Sequence, residues 1–214
     1  MPQSAFQPHN LEVGGSIPSS ATKIIIEVVM PQSAFQKAFE HTVGLEGGYS
    51  NNPNDRGGKT MFGITEAVAR ENGYMSDMSR MTIAIAQNIY YNRYWDKMQL
   101  NDICRMSEPL ATELFDTGVN MGNAWAVMFL QKVLNAFNSQ GKLYADVKED
   151  GVMGRSTVQA LHAFYAKRGI KGGIVLLKAV NGLQCARYLE ISQARPANED
   201  FVFGWISNRV GIPN

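Results

Sequence analysis

Residues Glu46 to Thr65 read EGGYSNNPNDRGGKTMFGIT, a stretch too rich in glycine, proline and asparagine to continue a helix. The pattern on either side is helical. Upstream, Phe35, Ala38, Phe39, Thr42 and Val43 share one face, which predicts a first helix running to about Leu45 and delivering Glu46 near its end. Downstream, Thr65 is placed to cap a helix through about Glu71, and Ser79 or Thr82 to cap the next, with Ile83, Ala86, Ile89, Tyr90 and Tyr94 inward. Pro109 suits a first helical turn ahead of Leu110, Leu114, Phe115 and Val119. A stripe of Trp125, Phe129, Val133 and Phe137 follows from Ala124 onward. Ser156 can cap a helix over Thr157 to Lys167 that Gly169 stops, and a last long helix covers about Gly173 to Ala194. The predicted class is mainly α, with one small β or irregular element around the glycine-rich segment and a further helical region at the C-terminus.

With 214 residues, 45% hydrophobic and 18% charged, the chain can bury a full core, and global disorder is excluded. The net charge of +1 hides an asymmetry. From Met30 to Gly122 eight Lys and Arg face eleven Asp and Glu (−3), whereas from Asn123 to Asn214 eleven face six (+5). Such a basic half suits an anionic polymer or surface, or is simply a solvated face. Cys104 and Cys185 read as free thiols, so no disulfide framework is expected. No signal-peptide pattern is evident, and Lys23 to Met30 is too short to span a bilayer; stable membrane insertion is not expected. The heptapeptide MPQSAFQ occurs at Met1–Gln7 and again at Met30–Gln36, and a Pro-, Gly- and Ser-rich stretch lies between the copies. Residues 1–29 are therefore expected to be a disordered extension, with the folded unit starting at Met30.

Cleaving a glycosidic bond needs an acid to protonate the leaving oxygen and a second group to stabilise or attack the anomeric centre, or to activate water. Glu46 and Asp55, nine residues apart, supply two carboxyls that a glycine-rich turn can set across a cleft. Val43, Leu45 and Phe62 can provide the apolar surroundings that keep a glutamate protonated. On spacing alone the alternative, a solvated glutamate and a turn aspartate, remains open. Phosphate cradling does not fit, because DRGGKT at Asp55–Thr60 lacks the GxxxxGK[ST] spacing. His9, His41 and His162 are scattered, so no zinc ligand set is expected, and neither metal nor cofactor is required. No nucleophile–histidine signature recommends acyl transfer.

The twenty residues from Glu46 to Thr65 resemble the signature of the glycoside hydrolase family 108 muramidases, found in phage endolysins and bacterial secretion-activator proteins; weaker similarity extends from about Ala34 along most of the chain. The resemblance implies a lysozyme-like helical fold and makes Glu46, the glutamate of the EGGY element, the general acid. The segment is also similar to phage-type lysozymes, which show glutamate, eight residues, aspartate, five residues, threonine. Glu46 and Asp55 keep the first gap, but Thr60 follows Asp55 after four residues, so the threonine is either Thr60 or Thr65. Asp55 would place water or balance charge. Candidate sugar contacts are Tyr49, Asn52 and Phe62, with Tyr91 and Trp95 of NIYYNRYW as stacking rings or core. LFDTGVNMG (Leu114–Gly122) resembles the helix end that closes onto the site in these proteins. Within it, Asp116 and Asn120 either orient the cleft or form a buried network.

In the basic half, FLQKVL (Phe129–Leu134) with EDGVMGRSTVQALHAF (Glu149–Phe164) resembles peptidoglycan-binding domains, on Asp150, Gly151, Gly154, Thr157 and Leu161. Near the end, FGWISNRV (Phe203–Val210) resembles the family's C-terminal region. There Trp205 and Arg209 either bind wall material or lock the tail onto the core, and the lock is the favoured reading. The expected organisation is an extension (1–29), a lysozyme-like catalytic domain (30–122) and a helical peptidoglycan-binding-like region (123–214). The expected activity is hydrolysis of the β-1,4 bond between N-acetylmuramic acid and N-acetylglucosamine by a phage or prophage endolysin. Such an enzyme would be a monomer made in the host cytoplasm and would reach the periplasmic wall through a holin or another export route. Peptidoglycan is the expected partner, and nucleic acid is not. A lytic transglycosylase, or a non-catalytic wall-binding or secretion-accessory protein, are the alternatives.

Overall fold

A computed structural model describes residues 33–44, 48–50 and 58–211. Among these the architecture is mainly α, as predicted. Helix α1 (Ala34–Thr42) begins with a capping box in which Ser33 and Gln36 satisfy each other's backbone N–H groups. It ends at Thr42, short of the expected Leu45, and Gly44 turns the chain at φ +76°. Leu45, Glu46, Asn52 and Asp55 lie outside the described residues.

A two-stranded antiparallel hairpin follows, β1 (Thr60–Met61) and β2 (Ile64–Thr65), and Ser50 adds a single bridge to Thr60. The loop is Phe62-Gly63, with φ of 50° and 72°. Positive φ at both central residues is the geometry whose twist matches a tight hairpin. Gly63 has a second constraint, because a β-carbon there would sit 3.0 Å from the Tyr90 hydroxyl.

Helix α2 (Glu66–Glu71) leads through a short 3₁₀ turn to α3 (Ile83–Tyr90), which Thr82 caps by accepting from Ile85 N–H. The chain then widens into a π-helical turn at Tyr91–Asp96. That turn shifts the phase of the apolar stripe. Tyr90 and Trp95, five apart, both become buried, and Tyr94, inward as expected, packs half-buried against the core. Phe35, Phe39, Tyr90, Tyr94, Trp95 and Phe115 form one aromatic cluster with ring centroids 5.1 to 6.5 Å apart where they meet Tyr91 or one another, mostly edge-to-face.

Helix α4 (Leu100–Met106) precedes α5 (Glu108–Met121), which carries Pro109 in its first turn and packs against α1, α4 and α6 (Asn123–Phe137). Leu110, Ala111, Leu114 and Phe115 are fully buried, so α5 is the central element of the core. Phe129 and Val133 of α6 are buried as expected, while Trp125 and Phe137 are half-buried.

Helix α7 (Arg155–Ala194) is interrupted at Gly169 (φ 58°, ψ −160°), the predicted stop. Its start differs from expectation: Gly154 is the cap and Arg155 the first residue, so Ser156 is already inside the helix. A 3₁₀ turn at Pro196–Asn198 and α8 (Glu199–Arg209) complete the described chain.

Candidate active site

The described backbone leaves α1 at Gly44, reappears at Gly48, and joins the hairpin where Ser50 exchanges two backbone hydrogen bonds of 2.9 Å with Thr60. Thr60 stands opposite Thr65 across the hairpin. Residues directly opposite in an antiparallel pair project to the same face, so Ser50, Thr60 and Thr65 form a row of three hydroxyls. Both threonines that the sequence left open thus belong to one surface. They differ in what their hydroxyls do. Thr65 Oγ1 accepts from Val68 N–H at 3.3 Å and caps α2, leaving it a proton to donate. Among the described residues Thr60 Oγ1 has no such duty. Tyr49 beside this row is 43% exposed. Phe62 is half-buried, and its carbonyl accepts from Tyr90 Oη at 3.1 Å, which pins the hairpin tip to α3.

Trp95 does not present a stacking face. It is 1% exposed, and its indole N–H donates to Asn101 Oδ1 at 2.8 Å. Asn101 Nδ2 in turn donates to Tyr91 Oη at 2.8 Å. Tyr91 is half-buried, edge-on to Phe35 at 5.1 Å, so this pair braces the π-turn from inside. The core reading of Trp95 holds because the added residue of the π-turn rotates it inward.

Asp116 meets the buried-network reading, and Asn120, itself exposed, hydrogen-bonds to it. Asp116 is 4% exposed; its Oδ1 accepts from Arg209 Nη1 at 2.9 Å and from Asn120 Nδ2 at 3.2 Å, and its Oδ2 from Gln184 Nε2 at 3.1 Å. Arg209 is therefore a lock between α8 and the central helix, as favoured from the sequence. Nearby, the Trp205 ring lies 5.5 Å from that of Tyr188.

One turn before Asp116 on α5 lies Glu113, which the sequence reading missed. It is 8% exposed, and burial, helped by the Asp116 charge, pushes its carboxyl up to about 8, against hydrogen bonds from Thr117 and Asn181. Burial also raises Asp116, opposed by the Arg209 charge. A neutral Glu113 carries a proton to donate, and Asn181 Oδ1 is a buried acceptor without a partner among the described groups. The available signal was Glu113, Asp116 and Thr117 at helical spacing inside an otherwise apolar stripe. Glu113, Asp116 and Asn181 form one end of a cavity of about 810 Å³ that His41, at the end of α1, and Tyr165 also line. Among the described residues no cluster of His, Cys, Asp and Glu is fit to hold a metal.

In the basic half, Gln131 is 1% exposed and gathers the turn between α6 and α7. Its Nε2 donates to Asp150 Oδ1, Val152 O and Thr157 Oγ1 at 3.1 to 3.2 Å, and its Oε1 accepts from Gly151 N–H at 2.9 Å. The Asp-Gly and Thr positions of the motif are therefore members of one structural knot.

Comparison with known proteins finds a region similar to glycoside hydrolases followed by a region similar to a peptidoglycan domain. Residues 39–122 match the family model for glycosyl hydrolase 108. Residues 125–210 match the model described as a predicted peptidoglycan domain. A solved structure titled "Structure of Brucella abortus SagA" is 27% identical over 78% of this chain and 95% of that chain, with a TM-score of 0.48. No curated protein matches. Together the two regions support a role in which the chain hydrolyses or binds peptidoglycan.

Proposed function

We propose that the protein is a muramidase that hydrolyses the β-1,4 bond between N-acetylmuramic acid and N-acetylglucosamine, with Glu46 as general acid. The observation that carries this reading is the match of residues 39–122 to a glycosidase family over the segment containing both Glu46 and Asp55. In the proposed reaction Glu46 gives its proton to the glycosidic oxygen as the bond breaks, and water adds at the anomeric carbon. Asp55 orients that water or balances the developing positive charge. The hydroxyl row of Ser50, Thr60 and Thr65 supports a water-holding role for one of these threonines. Thr60 is the better candidate, since the lone pairs of Thr65 already serve a helix N-terminus. Residues 30–122 would form the catalytic domain and 123–214 the wall-binding region, acting as a phage or prophage endolysin that reaches the periplasmic wall by export.

Product analysis tests the reaction type. Digesting purified peptidoglycan and separating the muropeptides by mass spectrometry should yield reducing N-acetylmuramic acid ends. Anhydromuramic ends would identify internal attack by the muramoyl 6-hydroxyl and replace the hydrolase with a transglycosylase. The peptidoglycan-domain match favours a second reading, a wall-binding protein without catalysis. Pelleting with insoluble peptidoglycan and no release of fragments would establish it.

A further inference from the structure

Between Asp150 and Glu190 the sequence holds six Lys and Arg and no acidic residue. Beyond the break at Gly169, α7 turns part of this stretch outward. Ile170 is 84% exposed, Val175 54% and Ile174 41%. Lys171 and Lys178 are exposed as well. At 100° per residue these five positions span about 140° of the helix. Gly173, Leu176 and Val180 take the opposite side and are buried.

Lys167 and Arg168 extend the basic edge across the break. With Lys171 they line a cleft of about 420 Å³ floored by Phe137 and Phe164. Arg168 is held in place, its Nη2 donating to Phe137 O at 3.1 Å and to Ser139 Oγ at 3.3 Å, with its guanidinium 5.9 Å from the Phe164 ring centroid. Among the described residues no carboxylate pairs with Lys167, Lys171 or Lys178.

We propose that this face of α7 docks the protein peripherally on an anionic lipid bilayer, with Ile170, Ile174 and Val175 entering the headgroup region and the four cations meeting lipid phosphates. A soluble polyanion would engage the cations and leave three aliphatic side chains in water. An apolar partner would cover the aliphatic groups and strip water from unpaired charges. An anionic interface uses both, because lysine stems lie along apolar material while their ammonium groups stay at the phosphates. The contact is peripheral: no helix among the described residues is long and apolar enough to cross a membrane. None of the catalytic assignments enters this inference.

The test is co-sedimentation of the full chain with vesicles of phosphatidylglycerol and phosphatidylcholine in equal parts, against vesicles of phosphatidylcholine alone. Binding is expected to the first and not to the second. Each cation removed near an anionic surface weakens partitioning roughly fivefold, so K171Q/K178Q should bind about 25-fold more weakly. I170S/I174S should lose at least about tenfold while its retention on soluble poly(glycerol phosphate) stays at the wild-type level. Equal binding to both vesicle types, or to neither, overturns the proposal for the wild-type chain without recourse to any variant. Wild-type vesicle affinity in I170S/I174S would also overturn it, and would make the face a site for soluble polyanions such as wall polymers.

Discussion

Replacing Glu113 with Gln should make the protein more stable at alkaline pH and leave it nearly unchanged in acid. The glutamate carboxyl ordinarily titrates at 4.5 and is pushed up to about 8 here, chiefly by burial. Between those values the folded chain holds a proton that the unfolded chain has released, so stability falls as pH rises through the window and levels off above it. The slope is at most about 1.4 kcal/mol per pH unit, which sets a ceiling of roughly 5 kcal/mol over the whole window. Water entering the cavity beside Glu113 lowers this, and about 2 to 3 kcal/mol is expected by about pH 8.5. Glutamine keeps the acceptor for Thr117 Oγ1, which donates at 3.2 Å, and offers its new N–H to the unpartnered Asn181 Oδ1. Thermal unfolding of both proteins by circular dichroism from about pH 5 to pH 8.5 reads the difference directly. At about 2 to 4 °C per kcal/mol, the variant should melt roughly 4 to 12 °C above wild type at the alkaline end and close to it at the acid end. Parallel curves across the range would refute the assignment of a buried, protonated Glu113.

Further predictions follow from the same network and from the hairpin. Arg209→Ala leaves the 4%-exposed Asp116 carboxylate without its cation and should cost about 2 to 4 kcal/mol in chemical denaturation, whereas Arg209→Ala in an Asp116→Asn background should cost clearly less. Thr65→Ala should lower stability by about 1 kcal/mol through loss of the α2 cap, while Thr60→Ala should leave the melting temperature in place and reduce kcat; the opposite assignment of effects would make Thr65 the working threonine. Trp95→Ala should destabilise the fold by about 3 to 5 kcal/mol, and a folded Trp95→Phe should keep the wild-type KM for wall fragments, since the indole meets Asn101 and not solvent.

Much of the frame was legible because its signals are local. Caps at Thr65 and Thr82, Pro109 in a first turn and the break at Gly169 each follow from the conformational needs of one or two residues. What failed depended on phase or on partners distant in sequence. The π-turn at Tyr91–Asp96 breaks the 3.6-residue count, which had left Trp95 open between core and a surface stacking role. No pattern marked its insertion point. The helix at Arg155 starts on a glycine that provides no side-chain cap, so Ser156 was the more visible signal. Glu113 looked like a polar interruption of an apolar stripe, because its burial is created by α7, some 68 to 71 residues away at the level of Asn181 and Gln184. The Asp116–Arg209 pair spans 93 residues, yet the tail lock was readable as an option since Arg209 lay in a motif with Trp205.

The central claim is that Glu46 donates the proton that breaks the glycan chain. Release of soluble muropeptides from purified peptidoglycan, measured side by side for wild type and a folded Glu46→Gln, tests it most directly. An amide keeps the size of the side chain and cannot supply the proton, so the rate should fall by at least about a hundredfold while pelleting with insoluble wall is retained. Release by Glu46→Gln at the wild-type rate would contradict the account.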